Sequence, residues 1–349
     1  MRFLFYNLII SFLGDNTMFD SKYFLESTSD MTDRTAEIQK YLDEFGVCIL
    51  GAGLYVVNGV DMPDGSTVMG MGKATQVLLD PAAEEGYAIS LRSFCTVKNL
   101  GLMGSLDTIE LPEKVGERHG LLFRGTATTK NWQTGQPLDS MIDGCFMTGF
   151  TGGGITCVDT GYYVRACLTV VNCHIVNCGA GINISHYSEF HKFTNVVCYE
   201  NLYGCINNGG NNTFTACSFD ANVTGYMIDN SMGQSPNDSH GSVIGCTFNH
   251  SDNNEGIGIL IMGAKNGYIF TGCQLFYSKI VLENSTSMVF SDFNFGRNTE
   301  ISVKGGKLTK FSDCAFANMP TVTVEDNDKV RFSNCFTRDG EEVRSPSVT

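Results

Sequence analysis

Charge is scarce in this chain, and basic charge is scarcer. Only 17% of its 349 residues are Asp, Glu, Lys or Arg, and 23 Lys and Arg face 37 Asp and Glu, for a net charge of -14. That balance excludes a basic stripe for nucleic acid or for an anionic membrane surface. It also disfavours a polyanionic glycan unless a metal bridges the charge. No Cys-x-x-Cys pair occurs among the 14 cysteines, so a structural zinc site has no support. No catalytic triad, metal cage or phosphate loop is written here; Gly152-Gly153-Gly154 precedes a strand pattern with no helix behind it. The apolar stretch Met1 to Leu13 is too short to cross a membrane as a helix, and no membrane insertion is expected.

What the chain has is a returning phrase. It reads Phe193-Thr-Asn-Val196, Phe214-Thr-Ala-Cys217-Ser-Phe219, Val243-Ile-Gly-Cys246-Thr-Phe248, Phe270-Thr-Gly-Cys273-Gln-Leu275, Phe290-Ser-Asp-Phe293-Asn-Phe295, Phe311-Ser-Asp-Cys314-Ala-Phe316 and Phe332-Ser-Asn-Cys335. The fourth positions lie about 20 to 29 residues apart, one turn of a solenoid each. Apolar residues fall three apart and then two apart, so the chain must bend between the first and the second. The residue at the bend is Asn195, Ala216, Gly245, Gly272, Asp292, Asp313 or Asn334, and all but Ala216 are types that tolerate a left-handed backbone. Strand, corner, strand, stacked at about 4.8 Å, predicts an all-β, single-stranded parallel β-helix, right-handed by the chirality of parallel crossovers. The 39 glycines suit its corners.

Cys145, Cys173, Cys217, Cys246, Cys273, Cys314 and Cys335 share one repeat position. They are expected as small buried apolar residues with free thiols, which fits assembly in a reducing cytoplasm. Residues 1–17 read as a signal peptide or as an overlong start before Met18; the lack of a small-x-small site and the interruption at Asn7 weigh against secretion. Residues 18–46 form an N-terminal segment whose stretch Thr32 to Phe45 reads as a capping helix, with Thr32 as cap, Ile38, Leu42 and Phe45 as its apolar stripe and Gly46 as its stop. The β-helix then occupies 47–338, and 339–349 is a loose polar tail. The last turns are regular and serve packing or subunit contact. Between Val97-Lys-Asn-Leu100 and Ile142-Asp-Gly-Cys145 an excursion from Leu106 to Leu138 carries the single Trp, Trp132. Long loops on a rigid solenoid are where binding groups are displayed, and Trp132 suits stacking on a sugar ring or pinning its loop.

Asp30, Asp33, Thr35, Ile38 and Gln39, followed by Gly51-Ala-Gly-Leu-Tyr55 and Gly65-Ser-Thr-Val-Met-Gly70-Met-Gly72, resemble the N-terminal module of the pectate-lyase-like superfamily of β-helix proteins. That family usually begins with Gly-Asp-Gly, where this chain has Ser29-Asp30-Met31. His119 to Phe123, the Tyr162-Tyr163 pair and the later phrases are similar to tail-associated proteins of phages and prophages. The resemblance implies a tail-associated protein, placed in the virion tail or outside the cell, that recognises and in one reading depolymerises a cell-surface polysaccharide. A bacterial polysaccharide lyase or glycoside hydrolase and a non-catalytic adhesive part are the alternatives. Tailspike-like relatives associate in threes, so a homotrimer is implied as well. No cofactor is expected, and no donor set indicates calcium.

Candidate chemistry sits on the strand that follows each phrase. Setting Gly154, Gly181, Gly204 and Gly225 in register puts Asp159, His186 and Asn230 in one outward column, with Asn208 and Asp229 beside it. Glycosidic cleavage needs two carboxyl groups about 5 to 9.5 Å apart, a span met by sites one or two turns apart. Glu189, Asp229 and Asp238 are therefore the hydrolase candidates, and His191 is the leading base for a lyase, with His186, His240 and Tyr187 behind it. Asp159, His186, Tyr187, Asn208, Asn230, His240 and Trp132 are the candidates for holding a polysaccharide or oligosaccharide. The competing reading is that such columns only satisfy corner backbone groups.

Overall fold

The computed structural model describes residues 21–28, 30–106, 110–124, 139–158, 164–165, 167–233, 240–249, 256–326 and 329–346. Each phrase folds as strand, left-handed corner, strand. The seven corner residues, Ala216 included, have φ between 52° and 63°. The first and second strands of successive turns form a 23-stranded sheet, and the strand after each phrase joins an 11-stranded sheet; the ladders are parallel throughout. The chain is a parallel β-helix.

Register explains the repeat. Phe193, Phe214, Val243, Phe270, Phe290, Phe311 and Phe332 are paired rung to rung. Inside the barrel their rings stack: Phe270–Phe290, Phe290–Phe311 and Phe311–Phe332 centroids are 5.0, 4.8 and 4.8 Å apart. The strand spacing itself sets that distance.

All fourteen cysteines are free thiols, and every one but Cys167 is buried. The thiol has a use that an alanine lacks. Cys217, Cys246 and Cys273 each donate to the carbonyl two residues back, at 3.5, 3.5 and 3.4 Å, and lie near a carbonyl of the preceding turn at 3.5 to 3.7 Å. A small apolar side chain with a weak donor thus fills the corner and satisfies its backbone. A second left-handed corner falls at Asn177, Glu200, Ala221 and Tyr277. Behind it Asn201 and Asn222 are wholly buried, and each accepts a backbone N–H of the turn before, from Cys178 and Asn201.

The ends are closed unequally. The helix runs Thr35–Phe45, later than expected, because Asp33 rather than Thr32 accepts the Thr35 N–H (2.8 Å). Ile38 and Leu42 cover the core while Phe45 is 41% exposed, so the apolar stripe is shorter than predicted. Gly46 ends it in the left-handed region, as expected. Gln39 then behaves like a piece of strand: its amide accepts the Asp61 N–H (3.0 Å) and donates to the Asp61 carbonyl (2.8 Å), closing the first edge of the 11-stranded sheet. At the far end, residues 341–346 are no loose tail. Val343 is buried, and Ser345 Oγ accepts the Phe332 N–H (2.9 Å).

The excursion also needs correction. Its middle, Arg118–Arg124, is a strand of the 11-stranded sheet, paired with Gly86–Leu91 and Gly153–Val158. Among the described residues no helix is long and apolar enough to cross a membrane.

Candidate functional site

The glycine register holds. Ile155, Ile182, Cys205, Tyr226 and Ile259 pair in sequence, which aligns Gly154, Gly181, Gly204, Gly225 and Gly258 one position earlier. A Cβ on Gly204 would stand 2.4 Å from the Gly225 carbonyl oxygen, so this column closes only with glycine. Four and five residues on, where the sheet runs out, stand the proposed polar groups.

Asn208 and Asp229 lie on neighbouring rungs, and Asn208 Oδ1 accepts the Asp229 N–H at 2.7 Å. The Asp229 carboxylate in turn accepts the Ser231 N–H (3.0 Å) and hydroxyl (2.6 Å), which fixes a turn over 229–233. His186, Tyr187 and His240 are half-buried in connections that lead from the 11-stranded sheet back to the 23-stranded one. Asn230 does not face outward: it is 2% exposed, and its Nδ2 donates to the Gly263 carbonyl. The cause is Gly263, at φ 70°, which lets the next rung close onto Asn230. Trp132, Asp159 and Asp238 lie outside the described residues.

His191 belongs to the core rather than to the outer face. It is wholly buried between Phe123 and Phe193, edge to face at 5.8 and 6.4 Å. Its Nδ1 accepts the Leu168 N–H (3.3 Å), so the ring proton sits on Nε2 and is donated to Ser188 Oγ (2.7 Å). Burial pushes its pKa down to about 3. A neutral imidazole sealed from solvent holds Ser188 in place; it does not meet a substrate. Glu189, 3% exposed, accepts from Asn211 Nδ2 at 3.3 Å and forms a short parallel strand with residues 164–165.

Sequence reasoning missed what lies behind this loop. The Asn212 side chain accepts the His191 N–H (2.9 Å) and donates to Asn207 Oδ1 (2.8 Å). Asn207 Nδ2 donates to Tyr226 Oη (2.8 Å) and to Tyr268 Oη, and the two tyrosine hydroxyls are 2.9 Å apart. All four side chains are wholly buried, and burial raises both tyrosine pKa values. The signal was present: Asn207 stands where its neighbours on the same inward column, Ile184 and Ile228, are apolar. This network anchors 185–191 and so fixes where His186 and Tyr187 stand.

A second cluster lies nearer the N-terminus. The Arg124 guanidinium reaches Asp61 (3.0 Å) and the Tyr87 hydroxyl (3.1 Å), while Tyr87 donates to Asp61 (2.9 Å). It fastens the first strands of the 11-stranded sheet. Among the described residues no group of three His, Cys, Asp or Glu side chains is placed to hold a metal ion.

No family model matches the sequence, and no curated protein is similar to it in sequence. Similar solved structures exist. The DFA-IIIase from Arthrobacter chlorophenolicus A6, solved in complex with GF2, aligns with a TM-score of 0.64 at 10% identity, over 94% of this chain and 100% of that one. Gene product 12 of bacteriophage phi29 aligns with a TM-score of 0.62 at 14% identity, over 98% of this chain and 55% of that one. The chain thus spans about half the length of the phage protein. The enzymatically active domain of bacteriophage CBA120 tailspike protein 2 aligns more weakly, with a TM-score of 0.47 at 13% identity, over 89% and 41% of the two chains. At these identities the likeness is one of fold.

Proposed function

We propose that the protein is a phage or prophage tail-associated β-helix that recognises a cell-surface polysaccharide along the flank bearing His186, Tyr187, Asn208, Asp229 and His240. The observation that carries this reading is the pair of half-buried polar side chains Asn208 and Asp229, set on neighbouring rungs about 4.8 Å apart before the column turns apolar at Met262. The fold is one that serves both a phage gene product and an enzyme solved with GF2, which agrees with the reading without identifying a sugar.

Recognition is favoured over cleavage by the state of the carboxylates. Asp229 is occupied by Ser231, Glu189 is enclosed with Asn211, and the histidine nearest to them is a neutral core residue. A homotrimer belongs to this reading and would use the flanks of the solenoid. The test is a glycan panel scored for both binding and product. Retained binding without reducing ends or unsaturated product, weakened at least tenfold by Tyr187→Ala and by Asn208→Ala, supports it. Product formation lost in Glu189→Gln at unchanged melting temperature would replace it with the hydrolase reading, and the absence of binding to any glycan would remove it.

A further inference from the structure

The last rung of the 11-stranded sheet, Thr321–Glu325, is left as an edge. It pairs with Glu300–Lys304 on one side and is the terminal strand on the other. The Thr321 N–H donates back to the Thr299 carbonyl (3.0 Å), and the Glu325 carbonyl accepts from Gly305 (2.8 Å). Backbone groups alternate along a strand, so those of Val322 and Val324 point to the open side. Their side chains face the barrel interior yet stay half-buried, whereas Ile301 and Val303 one rung earlier are each 1% exposed. Met319, 46% exposed, stands just before the strand.

At two other edges a side chain takes up open backbone groups. Gln39 serves the first strand of this sheet, and Ser345 serves the Phe332 N–H of the other sheet. Among the described residues, the tail that supplies Ser345 lies against the 23-stranded sheet and nothing pairs with the open side of Thr321–Glu325. A strand with four such open backbone groups and two half-covered valines is a template for another strand.

We propose that this edge pairs with the same edge of a second copy of the chain, antiparallel about Thr323. In that register Val322 and the second copy's Val324 form a hydrogen-bonded pair, as do Val324 and the second copy's Val322. All four open peptide groups are satisfied and the valines cover one another. Thr323 meets itself and Thr321 meets Glu325, so no like charges oppose. A parallel addition would need a partner with a free first strand, and Gln39 closes that end of every copy. The pairing joins solenoids end to end and does not depend on the sugar-binding reading.

The test compares molecular mass by light scattering for the full chain and for Thr323→Lys, whose exposed side chain would face its own copy across the contact. The wild type is expected to have twice the mass of the variant at equal melting temperature. Val322→Pro, which removes a donor only from the open side, is expected to halve the mass likewise. Thr323→Cys treated with oxidised glutathione should form a covalent pair that the wild type does not form, because facing residues of a non-hydrogen-bonded pair lie at about 4.5 Å, within disulfide reach. Equal masses for wild type and both variants, whether single chains or trimers, would overturn the proposal.

Discussion

The turns from Tyr203 to Met262 and those from Lys279 to Glu325 share one register and fill it differently. In the middle turns Asn207 and Tyr226, bonded to one another and to Tyr268 of the strand that follows, stand among stacked rings such as Phe219 and Phe248, and the outer edge carries half-buried Asn208 and Asp229. In the last turns the interior is a stack of phenylalanines, and the outside is laced by Lys279–Glu300 (3.3 Å) and Lys304–Glu325 (3.5 Å). Both stretches pack apolar rings inward, and the middle turns add to them a polar network that fixes a loop.

The largest effect that would test this division is in the stack. Phe311→Ala removes a ring that touches those above and below, and should destabilise by about 3 to 5 kcal/mol in denaturant melts. A comparable loss from truncating an outer-edge residue of the middle turns such as Asn208 would erase the distinction. Next comes acid. His191 is held neutral with its pKa near 3, against about 6.5 unfolded, so the stability it confers is complete above pH 6.5 and falls as pH drops from there toward 3. Melting temperature should decline over that range by the equivalent of a few kcal/mol, and His191→Gln should flatten the decline while lowering stability at pH 7. Smaller is Tyr268→Phe, which leaves an Asn207 donor short of an acceptor; about 1 to 2 kcal/mol is expected at neutral pH, with glycan affinity falling alongside if the network positions the loop. Smallest is Lys304→Ala on the exposed outer face, at about 0.5 kcal/mol or less and invisible in high salt.

The repeat was legible because its corners carry Asn, Asp or Gly, and because a one-residue slip would turn every Phe and Cys outward. The glycine register was legible for the same reason. The second corner was not: Glu200, Ala221 and Tyr277 adopt left-handed backbone under pressure from their neighbours, and no residue type announces it. His191 was misplaced because it follows a turn, where the alternation of sides restarts and the sequence cannot say on which face. Asn230 went wrong through a contact with Gly263, one rung later and 33 positions along the chain. Facts local to a turn could be read from the sequence, and facts that cross between turns mostly could not.

The sealed column of sulfur atoms gives the molecule a built-in record of its own opening. An alkylating reagent reaches Cys145, Cys246 or Cys335 only when the coil around that residue has parted, since each is nearly or wholly closed to solvent and Cys167 alone is half accessible. A timed pulse of such a reagent, followed by mass mapping, would therefore read out the sequence in which the coil unwinds and from which end it begins.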